Sequence, residues 1–260
     1  MTTALLNFAG DRSNGGIWSN TSPSRTTQVL TGACVVMADA RQLSPEADLE
    51  REGFRLVEFP VAGADFLDPG WVAGTYMAAC AALVARLTGA FRVVPVHPSV
   101  VVRNTGDSAF APAAQFVHID QDRGAARAMV AIAAGEDRAL QGARRTAIYN
   151  VWRALTPPPQ DVPLALCDQR SAREADWVTG QTIEDHIPAP IPYVSSVADP
   201  GQRWFHYPDM TLDEALVFKN YDSDPTRPLG CLHGAFRLEG APATSVPRAS
   251  AEARMVAFFA

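Results

Sequence analysis

Ala147-Ile148-Tyr149-Asn150-Val151-Trp152 is one of a series of short apolar or alternating runs that extends from about Phe91 to the C-terminus. Runs of this kind, bounded by turn signals, are typical of β-strands. The turn signals here are segments such as Thr156-Pro157-Pro158-Pro159 and Asp199-Pro200-Gly201. The other runs cover residues 92–96, 100–103, 115–119, 164–167, 214–218, 232–236 and 248–259. Many short strands separated by such turns predict a mainly β fold of the jelly-roll kind.

The residues before this series predict a different organisation. Residues 1–32 are rich in Asn, Ser, Thr and Gly, which predicts an irregular lead-in. Residues 33–90 predict a mixed α/β elaboration, with strands at 33–38 and 54–59, a short helix opening at Ser44-Pro45, and a helix at 70–88 between Asp68-Pro69 and Gly89. We therefore expect one domain, in which helices from the N-terminal region flank a jelly-roll core formed by residues 91–260.

Composition argues against several functional classes. The chain of 260 residues has a formal net charge of −6 and 19% charged residues, so it offers no basic surface for nucleic acid and no polybasic run for a membrane. The first residues lack the basic and apolar segments of an export signal, and the longest apolar stretch, residues 71–87, contains Arg86 and predicts a buried helix. The four cysteines form no CxxC pair, which does not favour a zinc site. We expect a cytoplasmic protein that acts on small molecules.

A candidate metal site begins in Phe116-Val117-His118-Ile119-Asp120. Strand alternation places His118 and Asp120 on the same face, so that one imidazole and one carboxylate converge. The candidate third ligand is His233, which lies in a strand-like run with small neighbours that allow close approach. Two histidines and one carboxylate leave three cis positions for substrate and oxygen, a ligand set that suits Fe(II).

Downstream of His233, Arg248-Ala249-Ser250 is again spaced to place two polar side chains on one face. A guanidinium binds a carboxylate with two hydrogen bonds, and a nearby hydroxyl adds a third. A distal His followed by an Arg-x-Ser strand recurs in 2-oxoglutarate oxygenases. The order and spacing of these residues therefore support the metal site.

The chain resembles the hydroxylase/desaturase family of Fe(II)/2-oxoglutarate-type oxygenases, which includes the cephamycin 7-methoxylase component, gibberellin-desaturase-like proteins and fungal natural-product oxygenases. The resemblance spans about residues 33–258. One departure is Ala154, which replaces a Pro of the family motif and is expected to alter only a turn. The matching segments are Val117-His118-Ile119-Asp120, Asn150-Val151-Trp152-Arg153, Phe218-Lys219-Asn220-Tyr221-Asp222-Ser223, His233-Gly234-Ala235-Phe236, Pro247-Arg248-Ala249-Ser250 with residues 251–254, and residues 38–41, 53–54, 87–90, 102–103, 163–168 and 170–171.

The resemblance implies a double-stranded β-helix that binds Fe(II) and uses 2-oxoglutarate as co-substrate. It implies hydrogen abstraction from a small natural product or an amino-acid-like substrate with molecular oxygen, and it leaves hydroxylation, desaturation, ring closure and peroxide formation open. In this interpretation Arg248 and Ser250 hold the C5 carboxylate of 2-oxoglutarate, and Asn150 contacts its C1 carboxylate. Arg254 is the alternative ligand for the C5 carboxylate, although Glu252 and Arg254 could instead pair with each other.

Four further residues are predicted to bind substrate: Arg103, Trp152, Lys219 and His206. His97 and His186 lie beside Pro residues in predicted loops and are not expected to bind metal. The arginines predicted near the site favour a substrate that carries a carboxylate or another anionic group, whereas the oligomeric state, including a homodimer, stays open. Two alternatives also stay open: a non-catalytic jelly-roll binding or accessory subunit, and an iron oxygenase that does not use 2-oxoglutarate.

Overall fold

The computed structural model describes residues 2–20, 22–97, 99–107, 109–185, 189–238 and 244–260. Strands account for most of the regular structure in these ranges. They are β1 (Thr2–Ala9), β2 (Ile17–Trp18), β3 (Leu30–Asp39), β4 (Phe54–Glu58), β5 (Arg92–Pro95), β6 (Val101–Asn104), β7 (His118–Ile119), β8 (Arg145–Ala154), β9 (Leu164–Cys167), β10 (Trp177–Thr182), β11 (Ile191–Ser196), β12 (Trp204–His206), β13 (Glu214–Asp222), β14 (His233–Ala235), β15 (Arg237–Leu238) and β16 (Ala249–Phe259).

The helices are fewer. The α-helices are α1 (Pro69–Trp71), α2 (Met77–Thr88), α3 (Arg123–Ala134) and α4 (Arg138–Gln141), and a π-helical turn at Val72–Tyr76 joins α1 to α2. Single 3-10 turns lie at Pro23–Arg25, Ala40–Gln42, Gln169–Ser171 and Glu174–Asp176.

The strands form two sheets that pack face to face. The first sheet has the order β15-β1-β3-β12-β9-β14-β7-β11-β10-β2, and the second has the order β4-β13-β8-β16-β5, with β6 also pairing with β16. Apolar side chains from both sheets fill the space between them, for example Phe54 and Phe218 of the second sheet with Leu166 and Phe205 of the first. The predicted mainly β jelly roll is confirmed, and the predicted strand runs overlap β5 to β9, β13, β14 and β16.

The helix predicted at 70–88 is present as Pro69–Thr88. The Asp68 side chain accepts a hydrogen bond from the backbone of Gly70 at its start, and Gly89 ends it with a φ of 71°. Its length and composition alone would also allow a membrane span. In this fold one face of the helix, including Tyr76 and Leu83, instead packs on the outer side of the second sheet.

Several predictions for the N-terminal region are wrong. Residues 1–32 are not an irregular lead-in, because β1 pairs with β3 along its whole length and β2 pairs with β10. The division at residue 91 also fails, since β3 and β4 are members of the two sheets. The short helix expected after Ser44-Pro45 is absent; the segment forms bends and one turn that ends at Gly53, too short a run to offset helix nucleation.

Helices α3 and α4 were not predicted. Each follows an aspartate whose side chain accepts hydrogen bonds from the first backbone amides, Asp122 for α3 and Asp137 for α4. Asp is a common N-cap residue, so the sequence contains a signal for both helices. The strand-like runs on either side favoured a prediction of strands instead. Helix α3 packs its buried residues Ala126 and Ala134 onto the same core as the first sheet.

Candidate metal centre

His118, Asp120 and His233 lie together, with one ligand atom from each within 4.8 Å of the others. The Oδ1 atom of Asp120 is 3.6 Å from Nε2 of His118 and 4.0 Å from Nε2 of His233. Both imidazoles are buried, and their ring centroids are 4.4 Å apart. The structure therefore brings together the three side chains that the sequence singled out as a metal site.

Sheet pairing explains why the two imidazoles meet. Strands β7 and β14 are neighbours in the first sheet, and His118 pairs directly with His233. Alternation along β7 turns Ile119 into the core and leaves His118 and Asp120 on the same side. Gly234 allows this close approach, because a Cβ atom there would lie 2.5 Å from the carbonyl oxygen of Phe116.

Backbone carbonyls orient both imidazoles. Nδ1 of His118 is 2.9 Å from the carbonyl oxygen of Phe116, and Nδ1 of His233 is 3.1 Å from that of Cys231. A proton on each Nδ1 donates to these oxygens and leaves Nε2 with a free lone pair directed at Asp120. Burial, followed by the proximity of His118, lowers the pKa of His233 to about 3, so this imidazole is neutral and able to bind a metal.

The two oxygens of Asp120 have different surroundings. Oδ2 accepts hydrogen bonds from Nδ2 of Asn150 at 2.8 Å and Nδ2 of Asn220 at 2.6 Å, and a guanidinium nitrogen of Arg254 lies 2.9 Å away. Oδ1 faces the two imidazoles. Burial by itself raises the pKa of Asp120, but the charge of Arg254 and the nearby imidazoles outweigh it, so the pKa lies well below the ordinary value. The carboxylate is therefore ionised.

This donor set fits Fe(II). Two imidazoles and one carboxylate oxygen, all on one side of a common point, form the facial triad that non-haem Fe(II) oxygenases use. The side opposite the triad opens into two cavities, and His118 and Asp120 line both of them. The residues present thus provide three ligands and leave room for further ligands on the metal.

The smaller cavity, of about 60 Å³, is lined by the buried arginine Arg248. Arg248 is only 2% exposed, and among the described residues no carboxylate lies within ion-pair distance of it. Its Nη1 donates to the carbonyl oxygen of Val162 at 2.7 Å, whereas its buried Nε has no hydrogen-bond partner among the described residues. Burial, followed by the charge of Arg103, lowers its pKa to about 10. A buried unpaired cation is costly, so this site fits an anionic ligand.

Two neighbours complete the Arg248 site. Ser250 is buried and lines the same cavity. The guanidinium carbon of Arg248 lies 5.4 Å from the centre of the Trp152 ring, which holds the guanidinium by a cation–π contact. A dicarboxylate with one end at Arg248 and Ser250 and the other end at the triad would satisfy the donors that the protein leaves unpaired.

The larger cavity, of about 250 Å³, is mainly apolar, and its charged lining residues are Arg103, Arg254, Asp120 and Glu184. Arg103 lines both cavities and, unlike Arg254, has no carboxylate within ion-pair distance among the described residues. Its Nη1 donates to the carbonyl of Pro112 at 2.7 Å and to Oδ1 of Asn20 at 3.1 Å, and no acidic partner is present among the described residues. The apolar walls are formed by Trp18, Val101, Ala111, Ala114, Phe116, Ile191 and Tyr193.

The structure changes the interpretation of Asn150 and Arg254. The amide of Asn150 donates to Asp120 and accepts from Nε of Arg254 at 3.2 Å, so both ends of the amide bond to other side chains of the protein. Arg254 contacts Asp120 and Glu252 through the same guanidinium nitrogen, the latter at 3.2 Å. The pairing with Glu252 considered from the sequence is therefore present. Of the two candidate arginines, only Arg248 is left without an acidic partner in the described chain.

Two residues predicted to bind substrate lie away from both cavities. Lys219 is fully buried and bonds to Oδ2 of Asp222 at 2.9 Å and Oε2 of Glu50 at 3.1 Å. Its side chain points to the outer face of the second sheet, because its neighbours Phe218 and Asn220 occupy the inner face. His206 packs edge-on against Phe236, with ring centroids 5.6 Å apart. Neither residue lines either cavity, so the structure gives no support to the predicted substrate contact.

A substitution of Lys219 tests this conclusion. Lys219→Ala leaves the buried carboxylate of Asp222 with fewer partners, so we expect the free energy of unfolding to fall by about 3–5 kcal/mol. Denaturant unfolding measures this loss. The affinity of the variant for 2-oxoglutarate at low temperature should equal that of the original protein. Unchanged stability together with a weaker substrate interaction would restore the substrate-binding interpretation.

The structure describes one of the two histidines that were not expected to bind metal. His97 is exposed on a bend after β5 and is not part of the metal-binding group. His186 lies outside the described residues.

Sequence reasoning missed several residues of the site. Asn220 contacts Asp120, but the substrate-binding prediction for this segment named its neighbour Lys219 instead. Trp18 and Asn20 line the larger cavity although their segment was predicted to be irregular. The signal for Asn220 was its place in the segment Phe218-Lys219-Asn220-Tyr221-Asp222-Ser223, which matches the family.

Comparisons with known proteins agree with this geometry. A family model described as "Oxidoreductase/YMDC permease-like domain" matches residues 9–258. The Fe(II)/2-oxoglutarate-dependent dioxygenase nvfI of Aspergillus novofumigatus is 31% identical over 232 residues, which cover 85% of this chain and 81% of the relative. The hydroxylase/desaturase efuI of Hormonema carpetanum is 29% identical over 228 residues, covering 78% and 76%. Among solved structures, the iron and alpha-ketoglutarate-dependent endoperoxidase NvfI matches with a TM-score of 0.82 and 27% identity, covering 99% of this chain and 97% of that one.

Proposed function

Because this chain belongs to the family of Fe(II)/2-oxoglutarate-dependent oxygenases and hydroxylase/desaturases, we propose that it oxidises a small natural product at an iron held by His118, Asp120 and His233. The family membership makes the chain an enzyme that depends on Fe(II) and 2-oxoglutarate. One observation carries the assignment of the site. The two imidazoles and the carboxylate converge beside a cavity that also contains Arg248, a buried cation with no acidic partner in the described ranges of the chain.

The two cavities have separate roles in this proposal. Arg248 and Ser250 bind the C5 carboxylate of 2-oxoglutarate in the smaller cavity, where no described residue supplies an anion within ion-pair distance of the guanidinium. The larger cavity holds the organic substrate with its reacting carbon towards the triad. Iron, when bound, supplies the oxidation chemistry that consumes oxygen and 2-oxoglutarate and releases succinate and carbon dioxide. The protein supplies binding, orientation and the exclusion of water.

The substrate in this proposal is an apolar small molecule that carries a carboxylate. The walls of the larger cavity provide aromatic and aliphatic surface, which favours an apolar body. Arg103 keeps Nε and Nη2 without acceptors in the described part of the chain, and its Nη1 is fixed by Pro112 and Asn20. A guanidinium held in this way binds a planar carboxylate with two hydrogen bonds. The apolar walls and the guanidinium of Arg103 therefore both favour an apolar molecule that carries a carboxylate.

A direct binding and turnover experiment tests the proposed function. Anaerobic addition of Fe(II) and then 2-oxoglutarate should produce the weak visible charge-transfer band of the chelate. A screen of small natural products in air should then find compounds that increase succinate formation, with no product when 2-oxoglutarate is omitted. A protein that binds neither Fe(II) nor 2-oxoglutarate would be incompatible with this function.

The substitution Arg103→Gln tests the proposed preference for a substrate with a carboxylate. Pairs of apolar carboxylic acids and their methyl esters are compared as triggers of succinate formation. We expect Arg103→Gln to lower the response to the acids by about 10–100-fold, since a hydrogen bond to a charged group contributes about 1.5–3 kcal/mol. The esters should respond equally with both proteins. Arg123→Gln, which removes a half-buried arginine of α3 that pairs with Glu174 and lines neither cavity, is the control. Equal acid responses in the Arg103 and Arg123 variants would reject the role of Arg103.

The cytoplasmic location stays a prediction, and the oligomeric state, including a homodimer, stays open. Cell fractionation tests the location. Light scattering on the purified protein distinguishes a monomer from a dimer.

A further inference from the structure

The Oδ2 atom of Asp120 is bonded on the side away from the two imidazoles. Asn150 and Asn220 each donate one amide hydrogen to it, and Arg254 adds a charged donor. A carboxylate oxygen with three donors has no direction left for a metal ion. We call Asn150, Asn220 and Arg254 the Oδ2 clamp.

The clamp comes from the sheet opposite the triad. Its three residues lie on the neighbouring strands β13, β8 and β16 of the second sheet, and Arg254 is the register partner of Asn150. Both amides are fully buried. The clamp therefore presents a row of donors, built on rigid strands, to a carboxylate that belongs to the first sheet.

Asn220 reaches the clamp through an irregularity in β13. The pairing of β13 with β8 runs from Lys219 opposite Tyr149 to Tyr221 opposite Ile148, which leaves Asn220 as the extra residue. A bulge of this kind turns a side chain in a direction that regular alternation does not allow. Gly230 accommodates the bulge, because a Cβ atom there would lie 2.8 Å from the carbonyl carbon of Asn220.

We propose that Asn150 and Asn220 are positioning residues that, with Arg254, restrict Asp120 to binding the metal through Oδ1 alone. This inference rests on the proposed function. A carboxylate that rotated freely could bind a metal through both oxygens and occupy a position needed for 2-oxoglutarate or oxygen. The clamp prevents that rotation and fixes the ligand before the metal arrives.

The chemistry of the clamp suits this purpose. Arg254 divides its charge between Asp120 and Glu252, so it does not neutralise Asp120 alone. The two amides add hydrogen bonds without adding charge, which leaves the carboxylate anionic for the metal. Asn150 also accepts from Nε of Arg254 and so holds the guanidinium in place. Neither asparagine needs to touch the metal or the co-substrate to have this effect.

Titration with Co(II) alone tests the clamp, because its visible absorption reports the number of ligands. We expect Asn150→Ala and Asn220→Ala each to weaken Co(II) binding by about 10–100-fold. We also expect weaker visible absorption per bound ion, as Asp120 gains a second metal bond, and weaker binding of 2-oxoglutarate to the Co(II)-loaded variants. Asn7→Ala is the control, since Asn7 donates one amide hydrogen bond, to the carbonyl of Gln115, outside the clamp.

The outcomes separate the clamp from the metal site itself. If both clamp variants match the original protein in Co(II) affinity and absorption while their unfolding temperature falls as in Asn7→Ala, the asparagines have only a structural role and the inference is wrong. Asn220→Ser, which keeps a hydrogen-bond donor, provides a milder variant in case an alanine variant does not fold. Failure of the original protein to bind Co(II) would instead reject the metal site.

Discussion

His118→Ala is expected to lower iron-dependent turnover by on the order of a thousandfold, equivalent to about 4 kcal/mol of lost transition-state stabilisation. His118 provides one of the two imidazole nitrogens of the metal-binding group. Without it, only Asp120 Oδ1 and His233 remain, and two ligands do not hold Fe(II) in an ordered site. The measurements are Fe(II) affinity and succinate formed per protein.

A matched control for this variant is His206→Ala. His206 is buried to a similar extent, 6% exposed against 9% for His118, but its ring packs on Phe236. We expect His206→Ala to keep Fe(II) affinity even if its stability falls. Full iron occupancy and normal turnover in His118→Ala would contradict the assignment of the triad.

Arg248→Leu is expected to have opposite effects on binding and on stability. Removing one partner of a buried charge pair costs about 2–5 kcal/mol, so the affinity for 2-oxoglutarate should fall by about thirtyfold or more. The protein without ligand should be as stable as before, or more stable by about 1–4 kcal/mol, because the variant replaces a buried cation with an apolar side chain. The observation behind this prediction is that Arg248 is buried and has no acidic partner among the described residues.

Arg153→Leu is the control for Arg248→Leu. Arg153 is a buried arginine next to Trp152 in β8, but it points to the opposite face and donates to the carbonyl of Leu212. We expect this variant to bind 2-oxoglutarate normally. Binding and denaturant unfolding are measured on both variants. If Arg248→Leu loses stability and keeps its affinity, the arginine is a structural residue and the C5 carboxylate binds elsewhere.

Much of the metal site could be predicted from short-range rules. The alternation in Val117-His118-Ile119-Asp120 is a local property of an extended strand, and it correctly placed His118 and Asp120 on one face. The same rule placed Arg248 and Ser250 in one cavity. The mainly β fold followed from the spacing of strand-like runs and turns.

Lys219 and Asn220 show what strand alternation by itself does not predict. Alternation states which residues share a face, but it does not state which face lies inside. The bulge at Asn220 then shifts the alternation by one residue, so that Lys219 and Asp222 meet on the outer face while Asn220 and Tyr221 point inward. The inner face is decided by packing against the first sheet, whose residues are distant in the chain.

The sequence by itself determined the jelly-roll class, the placement of His118 and Asp120 on one face, and the order of His233, Arg248 and Ser250 after them, because each depends on residue type and local spacing. Only the tertiary structure decided that His233 meets His118, that Arg248 has no acidic partner among the described residues, that Asn150 and Asn220 hold Asp120, and that Trp18 and Asn20 line the larger cavity. The residues involved lie far apart in the chain. Their energies come from burial and from the pairing of charges and hydrogen bonds, which arise when the two sheets close on each other.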